Sequence, residues 1–129
     1  MAARDGRVFT ILIVEDEEPM RAFLAQFLAD DGYNVLLAIH GRHALELIEQ
    51  ERPDLVLSDL MMPLLGGVEL CRQLKAREDT KHIPIILMSS SGRNAAVRAA
   101  ADAYIAKPFN LEDLEGLIRR WLPPAAHAV

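Results

Sequence analysis

Five short apolar runs punctuate the chain, and each is separated from the next by a stretch whose apolar residues recur every three or four positions. The runs are Thr10–Val14 (TILIV), Asn34–Ala38 (NVLLA), Leu55–Asp59 (LVLSD), Ile83–Ser89 (IPIILMS) and Ala103–Ala106 (AYIA). A continuous apolar run bounded by turn residues suits a strand buried on both faces, as in a parallel sheet. Between them the helical period predicts the connecting helices. Pro19 opens the first, Met20, Phe23, Leu24, Phe27 and Leu28 form its stripe, and Gly32 closes it. Ala44, Leu45, Leu47 and Ile48 make a second over Gly41–Glu51, and Val68, Leu70, Cys71 and Leu74 a third over Gly67–Arg77. The fourth, Asn94–Ala101, is short and alanine-rich. Asn110 caps the last, with Asp113 in its first turn and Arg119 and Arg120 near its end, as the helix dipole favours. Leu111, Leu114, Ile118 and Trp121 line its inner face, and Pro123-Pro124 stops it.

Strands alternating with helices predict an α/β fold, a doubly wound five-stranded parallel sheet with helices on both faces. The expected unit is residues 9–122, with 1–8 and 123–129 as flexible tails. At 129 residues, half of them hydrophobic, the chain has material for one core. The formal charge of −5 and the lack of a basic cluster argue against direct nucleic-acid binding. No segment approaches the length of an apolar membrane span, and the start lacks a signal-peptide core, so the expected location is the cytoplasm. Cys71, the only cysteine, reads as packing. His40, His43, His82 and His127 lack ligand spacing and read as surface or loop residues.

In such a sheet the carboxyl ends of the strands share one edge, where open α/β folds place their sites. Glu15 and Asp16 follow the first strand, Asp59 ends the third, Ser89 ends the fourth and Lys107 follows the fifth. Clustered carboxylates repel, and a hard divalent cation such as Mg²⁺ relieves that by taking oxygen ligands. Asp59 is then able to act as a nucleophile toward phosphorus, with Ser89 and Lys107 donating to phosphoryl oxygens. Ser90 is the rival hydroxyl if the register slips by one. Glu17 and Glu18 read as an acidic helix start.

The acidic pair Glu15-Asp16, the SDLMMP segment Ser58–Pro63, the Ser89 hydroxyl and Lys107-Pro108-Phe109 together resemble the receiver domain of two-component response regulators, over about Ile11 to Leu122. The resemblance implies strand order 2-1-3-4-5. It makes Asp59 the phosphoacceptor and Asp16 and Asp59 ligands of Mg²⁺ (Mn²⁺ as a substitute). Glu15 would hold the ion mostly through water, and the backbone carbonyl of Met61 would add a ligand. It implies Ser89 as the switch hydroxyl, Lys107 as the phosphate contact and a cis Lys107–Pro108 bond. Tyr104 would be the rotating aromatic, or a half-buried packing residue with no switching role. The implied partners are a histidine kinase or histidine phosphotransfer protein and an output protein. Such domains are not enzymes beyond their own phosphorylation and dephosphorylation. Met61 and Ser91, at positions that screen or orient attacking water in receivers, are no strong general bases and imply slow dephosphorylation.

Three departures stand out. Glu15 carries one methylene more than aspartate. Ser89 to Lys107 is about four residues short, roughly one helical turn, which gives a shortened fourth helix. Ala100-Ala101-Asp102 replaces Gly-Ala-Asp. Two other functions fit the same sheet less well. An aspartyl phosphatase would carry a second acid where Met61 stands, and a flavodoxin-like flavin protein would need a phosphate loop after the first strand. The run Ser89-Ser90-Ser91-Gly92 is too short for such a loop and lacks its lysine. An interaction module that is never phosphorylated is the remaining alternative.

Overall fold

Strand formation follows the apolar runs. The computed structural model describes residues 7–90 and 101–123. Along it come β1 (Thr10–Val14), α1 (Glu18–Asp30), β2 (Asn34–Ala38), α2 (Gly41–Gln50), β3 (Leu55–Asp59), α3 (Gly67–Lys75), β4 (Ile85–Ser89), β5 (Ala103–Ala106) and α4 (Leu111–Arg119). All pairings are parallel, in the order β2-β1-β3-β4-β5. The helix expected at Asn94–Ala101 lies outside the described residues except for Ala101, as does Ser91.

β4 begins at Ile85 rather than Ile83. Pro84 has no N–H to donate to a ladder, and the N–H of Ile83 is bonded to Thr80, although the Pro84 carbonyl still accepts from Val56. α1 ends where Gly32 adopts a φ of 98°, a left-handed conformation that favours glycine.

Side chains alternate across the sheet and build two apolar layers. Leu12, Val14, Val56, Ile85 and Leu87 meet Ala44 and Ile48 of α2 and Leu70, Cys71 and Leu74 of α3. Ile11, Ile13, Leu55, Leu57, Ile86 and Met88 meet Leu24 and Leu28 of α1 and Leu114 and Ile118 of α4. β1, β3 and β4 are buried throughout, while β2 and β5, at the edges, are partly exposed. Burying each large aliphatic side chain contributes about 1.5–3 kcal/mol, so the central strands hold the sheet edge in place. Burial also pushes the Cys71 thiol up, in keeping with packing rather than reactivity.

Two local devices were not legible in the sequence. His40 is the N-cap of α2, its Nδ1 accepting the His43 N–H at 3.1 Å. The Nδ1 of His43 reaches back and accepts the Ile39 N–H at 3.1 Å. The pair is a variant of the capping box built from imidazoles, with the return bond going to the residue before the N-cap. His40→Ala should lower stability by about 1 kcal/mol, and His40→Asn should retain most of it. Urea denaturation at pH 8 measures both, and equal stability of the alanine variant would remove the capping role.

At the other end, the buried Tyr33 hydroxyl donates to the Leu122 carbonyl. Burial, then the Asp31 charge, push the phenol up to about 12, against the pull of Arg119. A phenol raised in the fold stabilises it fully below its unfolded value, near 10, and that contribution is lost as pH climbs through about 12. Tyr33→Phe should therefore lose less stability than the wild type between pH 10 and about 12, as denaturation across that range would show. Parallel losses would contradict it.

Candidate functional site

The alternation that builds the apolar layers also aims the functional groups. Ile13, Leu57 and Ile105 lie in the layer beneath α1 and α4. Two residues beyond each stand Glu15, Asp59 and Lys107, so the three leave the sheet edge on the same side. The Lys107 Nζ lies 3.3 Å from Glu15 Oε1 and 3.3 Å from Asp59 Oδ1. Glu15 is 0% exposed and Asp59 is buried. Asp16 is exposed, yet Glu15, Asp16 and Asp59 each offer an oxygen, all within 4.8 Å of one another. The sequence-predicted acids and lysine are therefore brought together.

Every polar group of Glu15 has a partner. Its N–H donates to the Ala38 carbonyl at 3.1 Å. Its carbonyl accepts from Arg21 Nη1 at 2.8 Å. Oε2 accepts the Glu17 N–H at 3.2 Å, and Oε1 faces Lys107. Arg21 was missed in the sequence because an arginine on an amphipathic helix is indistinguishable there from a solvated one.

Burial sets the electrostatics. It raises the Glu15 carboxyl above its ordinary value; the Glu17 N–H and Lys107 oppose this and the Asp59 charge adds to it. Burial likewise raises Asp59, with Lys107 and the Leu60 N–H pulling it down and Asp16 pushing it up. Lys107 is lowered by its own burial but raised more by Asp59 and Glu15, and ends above the usual lysine value. The site thus holds more negative charge than one ammonium balances. Oxygen-only donors at this spacing fit a hard divalent cation such as Mg²⁺.

Ser89, buried, directly follows Met88, the register partner of Asp59. Its carbonyl accepts from the Lys107 N–H at 2.9 Å and lies 3.4 Å from the Tyr104 hydroxyl. Tyr104 is half-buried against the layer beneath α2 and α3. Ser90, the rival hydroxyl, lines a cavity of about 460 Å³ with Met20, Phe23, Lys107, Pro108 and Phe109. Phe23 is 52% exposed there. The Lys107–Pro108 bond is cis.

The loop after Asp59 is tightly built. Met61 is 70% exposed. Leu64, at φ 68°, is the centre of a γ-turn closed by the Leu65 N–H on the Pro63 carbonyl at 2.7 Å. A Cβ at Gly67 would lie 2.4 Å from the Asp59 carbonyl oxygen, so only glycine lets α3 approach this closely.

A parallel sheet of order 2-1-3-4-5 with acids and a lysine at the carboxyl edge, where its winding reverses, defines the class of phosphoacceptor receivers. Residues 11–119 match the family described as response regulator receiver domain, and the chain belongs to it. It is 44% identical over 121 residues to the response regulator MprA of Mycolicibacterium vanbaalenii, covering 88% of this chain and 52% of that one. The chain spans about half the length of such relatives, and 8% of a histidine kinase P4 of Formosa agariphila, to which it is 41% identical. Among solved structures, the receiver domain of a signal transduction histidine kinase from Syntrophus aciditrophicus superposes with a TM-score of 0.85 at 34% identity, covering 89% of this chain and 90% of that one. The receiver domain of a sensor histidine kinase from Pseudomonas aeruginosa, described with a magnesium ion coordinated in its active-site cleft, has a TM-score of 0.82 at 30% identity, covering 88% and 97%. Receiver domains of this family are regulatory and use Mg²⁺ in their acidic site.

Because the fold holds ionised Asp59 less favourably than water does, Asp59→Asn should raise the melting temperature of the metal-free protein at pH 7 by a few degrees. Differential scanning calorimetry in chelator measures this. A fall would mean that the Lys107 ion pair outweighs the cost of burying the charge.

Proposed function

We propose that Asp59 accepts a phosphoryl group from a histidine kinase or histidine phosphotransfer protein, and that the transfer switches the binding of an output protein. The unit that does this is residues 9–122. The observation that carries the reading is Lys107 bridging Glu15 and Asp59 at 3.3 Å each, with Asp16 completing the acid cluster.

Asp59 oxygen attacks phosphorus in line, the P–N bond to the donor histidine breaks, and its electron pair leaves with the imidazole. Asp16 and Asp59, with Glu15 through water and the Met61 carbonyl, would hold Mg²⁺. When bound, the ion neutralises charge on the transferring oxygens. Lys107 exchanges its carboxylate contacts for a phosphoryl oxygen, and Ser89 donates to another. Because the Lys107 N–H and the Tyr104 hydroxyl both address the Ser89 carbonyl, a shift at Ser89 is felt at β5, which supports a switch role for Tyr104. The apolar cavity of Met20, Phe23, Pro108 and Phe109 beside Lys107 supports approach of the donor from that side. On this reading the reaction takes place in the cytoplasm, and the chain's own chemistry is its phosphorylation and hydrolysis.

Incubation with Mg²⁺ and acetyl phosphate should give a stoichiometric, hydroxylamine-sensitive acyl phosphate that maps to Asp59 and is absent from Asp59→Asn. Continuous turnover would instead indicate a phosphatase, and no adduct on the wild type would leave only an interaction module.

A further inference from the structure

We infer that Arg21 is a positioning residue of the acidic site, holding the Glu15–Asp16 peptide in the orientation that cation binding requires. The inference rests on the reading of Glu15, Asp16 and Asp59 as a cation site. Arg21 lies half-buried in α1, its N–H bonded to the Glu17 carbonyl at 2.9 Å, and its Nη1 donates to the Glu15 carbonyl at 2.8 Å. That carbonyl belongs to the peptide joining Glu15 to Asp16. Its orientation sets the position of the Asp16 N–Cα bond, from which the Asp16 side chain departs. The other end of the residue is tied by the Glu15 N–H to Ala38. Asp16, exposed at the loop, is aimed by its backbone. With Arg21 in place, the loop is pinned between the β2 end and α1.

The alternative role for Arg21 is charge alone, and it predicts the opposite sign. A guanidinium near the helix N-terminus sits unfavourably with the dipole, and beside a cation site it repels the ion. If charge dominated, removing Arg21 would tighten cation binding. If positioning dominates, removal weakens it. Loss of a hydrogen-bonding partner behind a metal ligand typically costs about 10–100-fold in affinity. With three other anchors left on Glu15, the low end is expected, about tenfold.

Mn²⁺ binding to the full chain, read from the free-ion electron paramagnetic resonance signal and by Mg²⁺ competition, tests this without any phosphorylation. Arg21→Met should weaken binding about tenfold, while Arg21→Lys, which keeps charge and a donor, should recover most of it. Metal-free denaturation run alongside separates a stability effect, which would leave the affinity of the folded protein unchanged. If Arg21→Met does not fold, Arg21→Gln, whose amide is too short to reach the carbonyl, should show the same loss. Unchanged or tighter binding in these variants, with Asp16→Ala still defective, overturns the positioning role and spares the cation site. Wild-type binding by both Asp16→Ala and Asp59→Asn overturns the two together.

Discussion

Burial of two carboxylates and an ammonium at one end of the sheet is the constraint around which the molecule is built. Glu15, Asp59 and Lys107 come from three different strand ends, and none could be withdrawn from water alone without severe cost. Each is tolerable only because the others are there. The register of β1, β3, β4 and β5 is thus tied to electrostatics as well as to packing. A one-residue slip of β1, β3 or β5 would turn its charged terminus into the opposite layer.

The balance is deliberately incomplete in charge. Three carboxylates face one ammonium, and burial lifts Glu15 and Asp59 above their ordinary values even with Lys107 alongside. Such a cluster gains from any added positive charge. A hard divalent ion of the kind this family uses would be drawn to oxygens that the apolar layers hold in place.

Rigid support comes from small features around the edge. Gly67 allows α3 to sit against the Asp59 carbonyl, and the strained turn at Leu64 carries the loop away from it. The imidazole capping box fixes the start of α2, whose Gly41 N–H bonds the Leu65 carbonyl at 3.0 Å and so meets the same loop. Tyr33 and Leu122 close the far end, joining α1's exit to the segment after α4. The first three brace the edge that carries the acids, and the last braces the opposite end of the sheet.

The sequence by itself determined the five strands and the placing of Glu15, Asp16, Asp59 and Lys107 at one edge, whereas the partial exposure of the apolar β2 and β5 follows from their edge positions in the folded sheet. Those features depend on apolar runs, on the two-residue alternation of strands and on acids that end them, all of which are local patterns. The start of β4 could also have been read locally, because Pro84 carries its reason in its own chemistry. Only the tertiary structure decided that Arg21 reaches the Glu15 carbonyl, that two histidines cap one helix, and that Ser90 faces an apolar cavity while Ser89 is buried. Each of these depends on where a side chain points once α1, α2 and β4 have packed. An arginine, a histidine or a serine has the same local signature whether it is solvated or tied to the backbone of a neighbouring element.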